Sequence, residues 1–176
     1  MSYTVMAYCV DLDQLAAAVG SGQAALLNTL ISRYAGDFDE FDEMAADCAD
    51  EDSGEVAPTM REVLARLIEG GEYHENFGFM YGYALKFLCE HFGDSLPNDQ
   101  AGDAEWLEGM DEQLEDAGLP GGAPKLAGLM CRGAPIPIPS IDDFSGIGYL
   151  KRGELQAADE AYRQVHLDEL DDDEAA

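Results

Sequence analysis

The spacing of hydrophobic and polar positions changes several times along the chain, and each change predicts an element. Residues 2–10, SYTVMAYCV, are rich in Tyr, Val and Thr, contain no breaker, and read as a buried first strand. From Asp11 onward the apolar residues recur every three or four positions. Asp11 is placed to cap a short helix carrying Leu12, Leu15 and Val19 and stopped by Gly20. Ser21 is placed to cap a second helix, in which Leu26, Leu27, Leu30, Ile31 and Tyr34 form one stripe before Gly36. Phe38, Phe41, Met44, Ala45 and Cys48 repeat the spacing inside DFDEFDEMAADCADEDSGE, which predicts an amphipathic helix with an acidic outer face followed by a loop. Thr59 and Glu62 form a capping box for a helix that buries Val63, Leu64, Leu67 and Ile68 and ends at Gly70. The next helix, within FGFMYGYALKFLCEHFG, is the most hydrophobic, with Phe79, Tyr83, Phe87, Leu88 and Phe92 along it and Gly93 closing it. It is expected at the centre of the core.

Beyond it, DSLPNDQAGD is a loop by composition, and AEWLEGMDEQLEDAG predicts an acidic helix resting on Trp106, Leu107, Met110 and Leu114. LAGLMCRGA fits a short helix or a strand. In the stretch APIPIPSIDDFSGIGYL, Pro135, Pro137 and Pro139 remove every donor from one edge of an extended chain, since N–H groups two residues apart point the same way. Such a segment pairs on one side only, as an edge strand or a polyproline-like strap. FSGIGYL follows as a second short strand or turn, with Phe144, Ile147, Tyr149 and Leu150 as anchors and glycines permitting close approach. A terminal helix then carries Leu155, Ala158, Tyr162, Val165 and Leu170 on one side. This pattern predicts a mostly helical α+β fold, one acidic domain over residues 1–170 with a frayed tail at 171–176. Its small sheet is expected to join the N-terminal strand to strands near residues 136 and 147.

Composition changes this picture in one respect. The 176 residues hold 37 acids against nine lysines and arginines, a formal net charge of −28. The acids cluster: ten with no base between residues 37 and 55, nine with no base between 94 and 118, and nine against Arg163 alone from 154 to 176. Such a field repels nucleic acid and anionic membrane surfaces and attracts basic proteins, so direct phosphate binding is the first function class to drop. An apolar fraction of 47 % is too high for a disordered chain. No basic segment followed by an apolar stretch opens the sequence, and no run approaches the roughly 20 apolar residues of a membrane span, so the chain reads as cytoplasmic. Like-charged copies repel, which favours a monomer.

Candidate chemistry is sparse. Cys9, Cys48, Cys89 and Cys131 form no CxxC pair and read as free thiols, buried as small hydrophobes at every position but Cys48. Adding His74, His91 and His166 makes no metal signature, because only Cys89 and His91 are close and residues two apart on a helix do not face each other. No cofactor or metal is expected. The phosphate loop, the nucleophile elbow and the HExxH helix are absent, and the calcium-loop spacing fails at Gly54. Two places remain. Tyr73, His74 and Glu75 lie between two helices, where a His beside a Glu can exchange protons, and Asp142 and Asp143 form a carboxylate pair. Packing and helix capping account for the first group and a turn for the second, so these residues mark a pocket only as the alternative reading.

The segments SYTVMAYCVDLDQLAAAVGS, FGFMYGYALKFLCEHFG and PIPIPSIDDFSGIGYL, in this order, resemble an uncharacterised bacterial domain-of-unknown-function family of about this length. At a greater distance the chain is similar to the small YfbM-like proteins. The resemblance implies a soluble bacterial α+β protein and transfers no catalytic residue. The leading expectation is a non-enzymatic protein that binds a basic protein partner, as an inhibitor, immunity-type protein or regulator does, through Asp37, Asp39, Glu40, Asp42, Glu43 and Asp47. A narrower form is mimicry of nucleic acid. The alternatives are an enzyme or small-ligand binder using residues 73–76 and 142–143, and an acidity that reflects only a salt-rich setting. Under the last of these, the melting temperature should climb as ionic strength rises from about 0.01 to about 0.15 M, where the screening length shortens from about 30 to about 8 Å. Thermal unfolding in the two buffers checks this, and a flat response rules that explanation out.

Overall fold

The computed structural model describes residues 3–4, 6–49, 56–96, 101–102, 104–139 and 146–166. In chain order the elements are β1 (Tyr3–Thr4), β2 (Tyr8–Val10), α1 (Leu12–Ala18), α2 (Ala24–Tyr34), α3 (Phe38–Cys48) and α4 (Met60–Glu69). A 3-10 turn (Glu75–Phe77) leads into α5 (Gly78–Phe92), followed by β3 (Gly93–Ser95), β4 (Ala101–Gly102), α6 (Ala104–Asp116), α7 (Leu126–Met130) and α8 (Arg152–Tyr162). The fold is mostly helical α+β, as the periodicity predicts. Among the described residues no helix is long and apolar enough to cross a membrane. The predicted tail at 171–176 lies outside the described residues.

Contacts divide the chain into two interleaved units. The larger holds α1 to α5, the β2–β3 ribbon and residues 135–139; the smaller holds the β1–β4 ribbon, α6, α7, residues 131–134 and 146–151, α8 and the turn after it.

In the larger unit none of the fifteen residues of α5 is exposed. Met80, Tyr81, Ala84, Leu85, Phe87 and Leu88 make a wide buried arc, while Phe79 and Tyr83 of the expected stripe are only half-buried. Phe87 collects rings from two neighbours: Tyr34 of α2 stacks on it at 4.4 Å, and Phe41 of α3 meets it edge-on at 5.7 Å. Aromatic pairs in these geometries add about 0.5–1.5 kcal/mol each beyond burial. α4 contributes Met60, Val63, Leu64, Leu67 and Ile68, all fully buried.

Both ends of α4 are closed by other segments. The Thr59–Glu62 capping box forms as predicted, and the Met60 N–H donates to Asp42 Oδ1 of α3 at 2.6 Å. At the other end the last carbonyls of a helix have no partner within it. Here the N–H groups of Gly20 and Gly22 donate to Leu67 O and Ile68 O at 2.9 and 2.8 Å. These glycines can do so because their φ values of 64° and 66° lie in the left-handed region. Ser21, expected to cap α2, instead accepts the Gln23 N–H, and α2 starts without a side-chain cap.

The sheet differs from the expectation. The N-terminal run forms two short strands rather than one buried strand: β2 pairs antiparallel with β3 (Tyr8 opposite Ser95), and β1 with β4 (Tyr3 opposite Gly102). Residues 135–139 and 146–150 form no strand, so the predicted pairing near 136 and 147 is corrected. In residues 135–139 the alternate prolines remove every donor from one edge and leave Ile136 and Ile138 alone with N–H groups. Residues 135–139 act as the strap that was the other reading: Ile136 is buried, and the Pro137 carbonyl accepts the Tyr73 hydroxyl at 3.0 Å.

The smaller unit has a modest core of Leu114, Ala117, Leu119 and Val165, with Tyr162 packed against it. Polar ties supplement it. Buried Asp111 of α6 accepts the first two N–H groups of α7, from Leu126 at 2.7 Å and Ala127 at 2.9 Å, so LAGLMCRGA resolves as a helix started by a distant carboxylate. Trp106, Leu107 and Met110 are half-buried rather than the main seat of α6. The Tyr162 hydroxyl donates to Pro124 O at 2.8 Å. Arg132 joins Tyr149 O at 2.7 Å to the Glu154 carboxylate, whose pKa is held down at about 2 by that guanidinium and by the Lys151 N–H. Leu155, expected on the inner stripe of α8, is 55 % exposed.

The close approach expected of FSGIGYL occurs: a Cβ on Gly148 would overlap the Leu129 carbonyl, and one on Gly146 the Met130 carbonyl. Gly148→Ala should therefore destabilise the protein by about 1–3 kcal/mol, the usual cost of overpacking. Gly153, with open space around it, is the control and should lose no stability on substitution by Ala in urea unfolding.

Candidate functional site

The acidic residues proposed for partner binding fall on α3 and its first turn. Phe38, Phe41 and Ala45 bury one side of the helix, and spacing alone then turns Asp39, Glu40, Glu43 and Asp47 outward, with Asp37 exposed at the N-cap. None of these five has an ion pair among the described residues. Asp42 departs from the set. It is half-buried, and its carboxylate holds the first N–H of α4, so it fastens two helices together. Nothing in the sequence separates Asp42 from its neighbours, because its partner is eighteen residues away.

The second predicted place, residues 73–76, lies against α4. Arg66 Nη1 donates to the Glu72 carbonyl at 2.8 Å and folds the 70–74 segment back along the helix. The His74 N–H donates to the Tyr81 hydroxyl at 3.1 Å, and the Tyr73 ring lies 4.9 Å from that of Tyr81. Burial raises the pKa of both tyrosines above the ordinary phenol value. Between α4 and the returning segment is an open cleft of about 230 Å³ lined by Glu62, Ala65, Arg66, Glu69, Gly70 and His74.

Of the residues proposed for a pocket, His74 is the one that lines this cleft among the described residues. Its Nε2 is buried without a hydrogen-bond partner. Glu75 is exposed on the 3-10 turn, Tyr73 is committed to the strap, and neither lines the cleft. Asp142 and Asp143 lie outside the described residues. The cleft's other walls, Glu62, Arg66 and Glu69, occupy the outer face of α4 at i, i+4 and i+7, a pattern that reads as an ordinary solvated face. Only the hydrogen bond to Glu72 makes it a wall.

The cysteines are free, but Cys9, Cys48 and Cys131 are exposed, which corrects the expectation of burial for Cys9 and Cys131. The β2 strand shows the cause: Cys9 is on the outer face of a ribbon whose other face meets α5. Cys89 is half-buried, and burial with the nearby Glu90 pushes its thiol up to about 11, so it is a neutral thiol at pH 7. Among the described residues no group of three or more His, Cys, Asp or Glu is placed to hold a metal ion.

Comparison with known proteins adds one finding. A family model described as a domain of unknown function, DUF7691, matches residues 1–176. No curated protein and no solved structure matches the chain.

The division of labour on α3 is directly testable. Asp42→Ala should cost about 1–2 kcal/mol, as loss of a helix-start acceptor does, while Asp39→Asn and Glu43→Gln should stay within about 0.5 kcal/mol of the parent. Denaturant midpoints of the three variants decide it. Equal losses at all three sites would contradict the structural role of Asp42.

Proposed function

The chain belongs to the DUF7691 family of domains of unknown function, and from that premise, which supplies no chemistry, we propose a non-enzymatic protein that binds a basic protein partner. The binding face is the outer side of α3, with Asp37, Asp39, Glu40, Glu43 and Asp47 as its charges and Asp42 beneath them as a support. The observation that carries this reading is that the inner side of α3 is committed to the core while the five outer carboxylates hold no ion pair among the described residues. Uncompensated charge of one sign on a rigid helix steers an oppositely charged protein and fixes its register more than it adds affinity. The setting that goes with it is a bacterial cytoplasm and a monomer that acts as inhibitor, immunity-type protein or regulator. Mimicry of nucleic acid is the narrower version, in which the carboxylates follow the track of a phosphate backbone.

A second reading, a small-ligand pocket, rests on one observation: His74 Nε2 is buried without a partner beside a cleft that also presents Arg66.

The first reading is tested by affinity capture from native extract at low and moderate salt, followed by titration of the retained protein with the parent chain and with a variant in which Asp39, Glu40, Glu43 and Asp47 are Asn or Gln. The expected outcome is a basic protein retained at both salts whose binding falls roughly tenfold or more in the variant. Equal binding of the two chains would remove α3 from the interface. If duplex DNA competes for that same partner, the mimic version holds.

A further inference from the structure

The polar groups of the cleft divide into those the fold already uses and those it leaves over. Glu62 Oε2 accepts the Thr59 N–H at 2.8 Å and the Thr59 hydroxyl at 2.9 Å. One N–H of Arg66 is taken by Glu72. Among the described residues, three groups then have no hydrogen-bond or ion-pair partner, although Arg66 and His74 both lie in the field of Glu62: the rest of the Arg66 guanidinium, the Glu69 carboxylate and His74 Nε2.

These leftovers narrow the chemistry of an occupant. A phosphate or other dianion would face Glu62 and Glu69, and like charges at close range repel. A bare cation would face Arg66. A bound metal ion lacks its ligand set among the described residues. A ligand with one charge of each sign meets neither objection: its carboxylate suits the planar donor fork of Arg66, and its ammonium suits Glu69. The volume of about 230 Å³ lies below the range of about 300–1,000 Å³ typical of sites for drug-sized molecules, so the ligand is compact. His74 Nε2 is the buried group whose lack of a partner calls for an occupant or the water that comes with one.

We propose that the cleft between α4 and residues 70–74 binds a free α-amino acid, with the carboxylate at Arg66 and the ammonium at Glu69. This rests on the second reading of the protein's function and deepens it by naming the ligand class.

The test is calorimetric titration and thermal shift of the full chain with the common L-amino acids, their N-acetyl and carboxamide derivatives, inorganic phosphate and ammonium. At least one free amino acid should bind and raise the melting temperature. Its N-acetyl form, which lacks the ammonium, and its amide, which lacks the carboxylate, should each bind at least roughly tenfold more weakly. Glu69→Gln, at an exposed position with no partner to lose, should leave the unliganded melting temperature unchanged and weaken the amino acid by a similar factor. If a singly charged compound binds as tightly as the parent amino acid, or Glu69→Gln binds normally, the ligand class is wrong while the pocket reading stands. Failure of every compound to bind overturns both.

Discussion

A helix none of whose residues is exposed obliges its neighbours to surround most of it with apolar groups, and α5 imposes this on the larger unit. α1, α2, α4 and the β2–β3 ribbon all contact it, and Phe41 of α3 packs against its Phe87. Phe87 shows the demand most plainly, since its ring is met by Tyr34 and by Phe41 from different helices. Once α3 must hand Phe38, Phe41 and Ala45 inward, its acids other than Asp42 have only the outside left. The acidic face is thus a by-product of core packing, and the position of its charges is set by the core behind it.

The same constraint shapes the cleft. α4 is packed through five buried residues and closed at both ends by groups from elsewhere, Asp42 at the start and Gly20 and Gly22 at the end. The chain leaving α4 at Gly70 has to return to start α5, and Arg66 and Tyr81 hold it close as it does so. A cleft between a helix and its own exit segment follows from that return path. Its mixed charge stands out in a chain of net charge −28, because an arginine and a histidine converge there with two glutamates.

The smaller unit solves a different problem. Its apolar core is slight, and carboxylates do part of the work: Asp111 starts α7, and Glu154 anchors Arg132, which in turn holds Tyr149. Acids that composition alone assigns to the surface field therefore do structural work in both units.

The sequence by itself determined the helices other than α7, the boundary of α4 at its capping box, the outward turn of Asp39, Glu40, Glu43 and Asp47 and the close approach at Gly146 and Gly148. Each of these follows from forces acting over a few residues: the 3.6-residue period, a side chain reaching the backbone three positions on, a glycine where no side chain fits. Strand pairing, the burial of Asp111, the tie from Asp42 to Met60 and the cleft around His74 were decided only by tertiary structure. Their partners lie fifteen or more residues away or on faces that look solvated, and the spacing of residues carries no record of which distant backbone group will arrive. Cys9 illustrates the limit, since an apolar strand says that one face is covered, and only the position of α5 decides which.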